Sequence, residues 1–308
     1  MTASCDRCGR GSIIFIRSSG QHLCRDHFID LSYRRIRREI RGQSLVRSGA
    51  VLGIALSGGK DSTVLLRTVQ GIVGEIKNLR IVALTVDEGI RRYRPSSMEI
   101  AKKEARDLGL EHRISSFDGL FGGTLDSYVD QSELNPCTIC GILRRRALNV
   151  MANEAECTHL LTGHNLDDMA QTVLMNVLSG DLERLLNLGP HRDPLPGHVP
   201  RAMPLRTTPE TEVYLLAHLL GVRIHDMECP YSLTAKRGFY RDMLLKAEES
   251  TPGTRYALLR FLDQIKERTD RKSAPVGTCP SCGEPMVGSK NGSPCKACLL
   301  LRDLGVKG

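Results

Sequence analysis

Leu56-Ser57-Gly58-Gly59-Lys60-Asp61-Ser62 follows the apolar run of residues 51–55, and this junction of strand and helix decides the fold. Adjacent glycines allow a tight turn that brings backbone N–H groups close to an anion, and a helix starting near Asp61 points its positive dipole end at the same spot. A phosphate fits there. The loop of kinases and GTPases needs glycine, four residues, then Gly-Lys-Ser/Thr; here Ile54 stands at the first glycine and Asp61 follows the lysine. That reading fails. A plain glycine-rich turn is the bland alternative.

Around this loop, apolar strands alternate with helical periodicity. Strands are predicted at residues 51–56, 81–86, 112–115 and 159–162, and helices at 61–73, 97–108, 138–152 and 167–178. Such alternation predicts an α/β, Rossmann-like parallel sheet covered on both faces. Ligands gather at the carboxyl ends of strands in such sheets, so residues 57–62, 86–89 and 163–168 are expected to share one crevice. The stretch 189–209 reads as a surface loop before a helix starting near Glu210.

With 308 residues, 41% apolar and 25% charged, the chain has the composition of an ordinary globular protein. No apolar run approaches the roughly 18 residues of a membrane helix. Cys5 and Cys8, with Asp6 and Arg7, occupy the place of a signal peptide's apolar segment, so a cytoplasmic location is expected. In that reducing compartment, cysteines at Cys-x-x-Cys spacing point to metal rather than disulfides. Cys5, Cys8, Cys24 and His27 form one set suited to tetrahedral zinc; Cys279, Cys282, Cys295 and Cys298 form a second. Short loops of this kind depend on the ion to hold together. The expected organisation is a zinc finger over residues 1–30, a nucleotide-binding domain over 31–270 and a zinc ribbon over 271–308. Each zinc module serves either as an RNA contact or as a structural staple.

The net charge of +8 suggests a polyanionic partner. Arg34, Arg35, Arg37, Arg38 and Arg41 crowd one predicted helix; Arg144, Arg145 and Arg146 form a second cluster. Lys236, Arg237 and Arg241 accompany Phe239 and Tyr240. Phosphate neutralisation with aromatic stacking is how structured RNA is held, although charge runs also serve as solvated helix faces. Arg144 lies one helical turn after Cys140 and should face the same crevice.

Once the zinc ligands are set aside, Cys137, Cys140, Cys157 and Cys229 remain. Cys157 stands alone beside a predicted strand and reads as core. For the other three, spacing leaves several options: three ligands of a 4Fe-4S cluster with an open iron, a redox disulfide with persulfide chemistry, a third zinc, or inert buried thiols.

The loop Ser57 to Ser62 resembles the pyrophosphate loop of ATP pyrophosphatases. Taken with Cys137-Thr138-Ile139-Cys140-Gly141, Gly163-His164-Asn165-Leu166-Asp167-Asp168, Cys229-Pro230 and the zinc modules, the chain resembles tRNA-uridine 2-thiolation enzymes of the TtuA and NcsA type over nearly its whole length. GMP, argininosuccinate and NAD synthetases share the loop without the further cysteines. Cytidine thiolases of the TtcA type share the cysteine pair but typically lack the zinc ends.

The resemblance implies an adenine nucleotide alpha hydrolase-like fold. It also implies cluster ligands at Cys137, Cys140 and Cys229, and ATP contacts at Ala55, Ser57, Gly58, Gly59, Lys60, Asp61, Ser62, Val86, Gly163 and Asp168. Implied partners are tRNA, a sulfur donor (a ubiquitin-like thiocarboxylate carrier or free sulfide) and a second copy of the chain. The implied chemistry adenylates the uracil C2 oxygen and then replaces it with sulfur, at the wobble uridine in preference to the T-loop uridine. Lys60 and Arg144 would stabilise phosphate charge. Magnesium would sit on Asp61, Asp167 or Asp168, with Asp168 the essential acid; the aspartate pair also suits a helix cap. Arg144 stands where some relatives carry a catalytic lysine, and arginine keeps the charge but cannot carry a proton near neutral pH.

Overall fold

The computed structural model describes residues 3–191, 197–225, 227–232, 237–269, 276–287 and 292–306. A hairpin of β1 (Ile14–Ile16) and β2 (Gln21–Leu23) leads into α1 (Arg25–Gly42). Then come β3 (Val51–Ala55), α2 (Lys60–Val73), β4 (Arg80–Asp87), α3 (Arg94–Asp107) and β5 (Glu111–Ser116). Short helices α4 (Phe117–Phe121) and α5 (Leu125–Asp130) precede the long α6 (Pro136–Glu154). Next are β6 (His159–Leu161), α7 (Leu166–Leu178), α8 (Leu182–Leu186) and β7 (Arg201–Ala202). Helices α9 (Glu210–Leu219), α10 (Arg237–Ser250) and α11 (Thr254–Arg268) follow, and β8 (Val276–Thr278), β9 (Pro285–Val287) and α12 (Lys296–Asp303) close the chain.

The central sheet has the order β5-β4-β3-β6-β7, and every neighbouring pair is parallel. Strand alternation explains why it needs two covers. Leu52, Ile54, Ile81 and Ala83 join one core with side chains from α1, α2 and α9, whereas Val51, Val82, Leu84 and Val86 join another with α6 and α12. Both faces are therefore apolar, which is why these strands read as continuous hydrophobic runs. Each buried Leu or Ile contributes about 1.5–3 kcal/mol, so the two faces rather than the loops hold the sheet. Strand order reverses between β3 and β6, opening a crevice at their carboxyl ends.

The stretch 189–209 is not a surface loop throughout. Arg201–Ala202 pairs with Leu160 and Leu161, and Ala202, Met203 and Leu205 are buried. A two-residue edge strand is too short to show periodicity. Gly53 and Cys157 also fit together: a Cβ on Gly53 would stand 2.7 Å from Cys157 Sγ, which confirms Cys157 as core.

The terminal modules are fused to the domain between them. Cys5, Cys24 and Phe28 belong to the first core, and Cys279, Cys295 and Leu300 to the second. Helix α1 starts within the first module and runs through residue 30, so no break occurs at that boundary. The other boundary, near residue 270, and Lys236 lie outside the described residues. Among the described residues, no helix is long and apolar enough to cross a membrane.

Candidate functional site

The nucleotide loop connects β3 to α2 and is braced from within. Ser62 Oγ donates to the Gly59 carbonyl (2.9 Å) and lies 3.0 Å from Ser57 Oγ, and Thr63 Oγ1 donates to the same carbonyl (3.0 Å). Gly59 is the N-cap of α2 and supplies no side-chain cap, so the first N–H groups of the helix face the crevice as an anion site. Gly58 has φ +84, and a Cβ there would lie 1.9 Å from the Ser97 carbonyl oxygen, so only glycine fits. Gly163 is constrained less severely, by space alone, because its Cβ would meet the Asp61–Ser62 peptide at 2.9–3.1 Å.

Lys60 Nζ lies 3.0 Å from Asp61 Oδ2 and 3.0 Å from Glu210 Oε1. Burial works against its charge, but these carboxylates outweigh it and raise the lysine above its ordinary value. Asn165 Nδ2 donates to Asp61 Oδ1 (3.1 Å). Asn165 and Asp168 form a reciprocal capping box at the start of α7, each side chain accepting the other's backbone N–H at 3.1 Å. Asp167 turns elsewhere: it pairs with Arg255 of α11 and accepts the Glu210 N–H at 2.7 Å. It is a strut between helices, and the magnesium candidates reduce to Asp61 and Asp168.

Cys137 and Cys140 sit in the first turn and a half of α6, where Pro136 and the Asn135 cap set the start; Asn135 Oδ1 accepts the Cys137 N–H at 2.9 Å. Cys137 Sγ reaches the Tyr231 carbonyl (3.6 Å), and Cys229 packs against the core that contains Cys140, within electrostatic reach of Cys137, Cys140 and Arg144. The fold thus brings Cys229, distant in sequence, to the Cys137–Cys140 pair. Burial raises the Cys140 thiol to about 11, with Arg144 opposing, and raises Cys229 as well.

Two residues that the sequence reading passed over connect these halves. Arg144 Nη2 lies 2.9 Å from Cys140 Sγ, and its Nε donates to Glu88 Oε1 at 2.7 Å. Glu88 Oε2 stands 2.6 Å from Arg94 Nε, an ion pair by distance without the alignment of a hydrogen bond. Arg94 then donates to the Ser57 carbonyl (2.9 Å) and to that of Val86. Glu88 and Arg94 are both buried, whereas Arg144 is half exposed and opens on the crevice. Val86 contacts this network through its backbone. The available signal was Glu88 itself, an acid just past the carboxyl end of a strand.

At the ends of the chain, Cys5, Cys8, Cys24 and His27 bring their ligand atoms within 4.8 Å of one another, as do Cys279, Cys282, Cys295 and Cys298. The basic segments divide. Arg34, Arg37, Arg38 and Arg41 are exposed on α1, but Arg35 turns inward to Glu212 (2.6 Å). Arg146 holds Glu284 of the C-terminal module at 2.6 Å, leaving Arg145 on the surface. On α10, Phe239 is exposed beside Tyr240, and Arg241 lies 3.8 Å from Glu210.

Comparison with known proteins agrees with this geometry. Residues 33–247 match the PP-loop domain family, and residues 4–29 match the N-terminal LIM domain of 2-thiouridine synthetase TtuA. The chain is 37% identical to the tRNA 2-thiolation protein NcsA of Haloferax volcanii, over 97% of this chain and 98% of that one. It is 36% identical to cytoplasmic tRNA 2-thiolation protein 1 of Drosophila yakuba, over 99% and 89%. A solved structure, the U34-tRNA thiolase NcsA from Methanococcus maripaludis with its 4Fe-4S cluster, superposes with a TM-score of 0.87 at 33% identity, covering 100% of this chain and 98% of that one. The chain belongs to the TtuA/NcsA-type tRNA 2-thiolation proteins of the PP-loop ATP pyrophosphatase superfamily.

Proposed function

We propose that this chain makes 2-thiouridine at U34, the wobble position of tRNA, with Cys137, Cys140 and Cys229 as ligands of a 4Fe-4S cluster. The observation that carries the reading is the unbroken run of contacts from Cys140 through Arg144, Glu88 and Arg94 to Ser57. That run joins Cys140 to the nucleotide loop, which supports the reading. The solved relative, a U34-tRNA thiolase with such a cluster, supports the same assignment.

The thiol trio fits a cluster better than a single ion. Among the described residues only the two terminal quartets bring ligand atoms within 4.8 Å of one another, so the trio is spaced more widely than one tetrahedral zinc draws its ligands. Arg144 supplies positive charge against the thiolates. When bound, a cluster with three protein ligands offers an open iron that can carry sulfide.

The protein's own residues prepare the substrate. Gly58, Gly59 and the uncapped start of α2 receive the phosphates, and Lys60 leaves Glu210 to neutralise them as the C2 oxygen attacks the α-phosphorus and pyrophosphate departs. Asp61 and Asp168 are placed to hold magnesium. Sulfur then bonds to C2 and AMP carries away the former carbonyl oxygen. The terminal quartets bind zinc, and exposed arginines of α1 with Phe239 contact the RNA.

Anaerobic purification with iron and acid-labile sulfide assays tests the cluster, and mass spectrometry of tRNA from a deletion strain tests the target. Cys229→Ala is expected to lose both iron and thiolation with its zinc content intact. Full thiolation by iron-free protein overturns the cluster, and loss of thiouridine at another position overturns U34.

A further inference from the structure

One wall of the crevice is built but unused by the chemistry above. The loop from β4 to α3 carries Gly89-Ile90-Arg91-Arg92-Tyr93, and Asp126 of α5 fastens it. Asp126 Oδ2 accepts the Arg91 N–H at 3.0 Å and its Nε at 3.2 Å, while Oδ1 accepts the Tyr231 hydroxyl at 2.8 Å. The loop is therefore tied to the segment that holds Cys229 and receives Cys137.

Two side chains on this loop are left without a task. Arg92 is exposed and held at φ +63, a conformation unusual for a long side chain, and it has no ion-pair partner among the described residues. Tyr93 is half-buried, and its hydroxyl has no hydrogen-bond partner among them. Its ring meets His225 edge to face, with centroids 5.1 Å apart, and His225 is itself fixed by Ser96 Oγ at 2.6 Å. Tyr93 also packs, with Cys229, against the core that contains Cys140, and lies within electrostatic reach of Cys229, Glu88 and Arg144. The chain has no tryptophan and few other aromatics, so a preorganised aromatic pair beside the thiols is not incidental composition.

We propose that Tyr93, braced edge to face by His225, is the stacking platform for the flipped-out target uracil and that Arg92 binds its flanking phosphate. This rests on the chain acting on a tRNA uridine. Single-stranded bases are commonly recognised by stacking on aromatic rings, with arginine on the backbone.

The test is a double-perturbation cycle on the full-length, metal-loaded protein, using anticodon-arm RNA with uridine or an abasic residue at the target. Tyr93→Leu is expected to weaken binding of the uridine RNA about tenfold, with ATP affinity showing that the nucleotide loop survives. Removing the base weakens wild-type binding similarly, and combining the two changes adds nothing. Tyr93→Phe keeps the ring and is expected to stay within twofold of wild type. Arg92→Gln should lower the slope of log affinity against log salt by about one.

Photocrosslinking of wild-type protein to RNA with 5-iodouridine at the target should label Tyr93 or His225, a readout that needs no variant. Multiplicative losses in the cycle, or a crosslink elsewhere, overturn the proposal while leaving thiolation intact. A wild-type protein that thiolates no tRNA removes the functional reading, and this inference with it.

Discussion

Replacing Glu88 by alanine would leave the buried Arg94 guanidinium without its carboxylate. Both side chains are about 5% exposed or less, so water cannot take the lost partner's place. Breaking a buried pair from one side costs about 3–5 kcal/mol. Arg94 keeps its bonds to Ser57, Val86 and Ser97, which places the cost near the lower end, and half-exposed Arg144 adds no more than about 1 kcal/mol. Glu88→Ala should therefore lose about 3–4 kcal/mol. Arg94→Met leaves Glu88 with half-exposed Arg144 still beside it and should lose about 3 kcal/mol, the lower end of that range. The double variant leaves neither Arg94 nor Glu88 buried without the other and should lose about 2 kcal/mol less than the sum of the two. Urea denaturation of the metal-loaded protein measures all four forms, and nucleotide titration should show weaker ATP binding in both Arg94 variants because the Ser57 carbonyl loses its donor. Losses that add to within about 0.5 kcal/mol would refute the claim that this pair ties the nucleotide loop to the thiols.

Gly58→Ala places a methyl group 1.9 Å from the Ser97 oxygen in a left-handed turn and should abolish ATP binding measured by calorimetry, with the zinc content unchanged. If the terminal quartets hold zinc as proposed, prolonged chelation should lower thermal stability as well as release metal, because their members Cys5, Cys24, Cys279 and Cys295 belong to the main cores; melting curves with and without zinc check this. Burial depresses His112 and His159, so each is neutral in the fold at a pH where the unfolded chain is already taking up protons. Their contribution is present above about pH 6.5 and is lost as pH falls below it, and His112→Gln should flatten part of that decline in melting temperature.

The cradle was legible because its signals are local. Consecutive glycines, a strand before them and a helix after them are read from one short window, and Cys-x-x-Cys spacing is set by backbone geometry. Arg144 was placed correctly for the same reason, since one helical turn separates it from Cys140. Strand β7, two residues long, is too short to show a period, and while Asp168 is the expected essential acid, spacing does not exclude Asp167 as a magnesium ligand; only its contacts with α11 and α9 do. Arg35 shares the sequence context of its neighbours on α1, and only the packing of α9 against that helix gives it Glu212 as a partner.

The chain's sequence alone determined the parallel sheet, the phosphate cradle and the two terminal ligand quartets, all of which follow from short-range covalent spacing and hydrophobic period. Tertiary structure alone decided that Cys229 meets Cys137 and Cys140, that Glu88 joins two arginines, and that Asp126 fastens the Tyr93 loop. Those contacts depend on which distant segments share a low-dielectric crevice, where a charge must find its partner. Sequence separation carries no information about that.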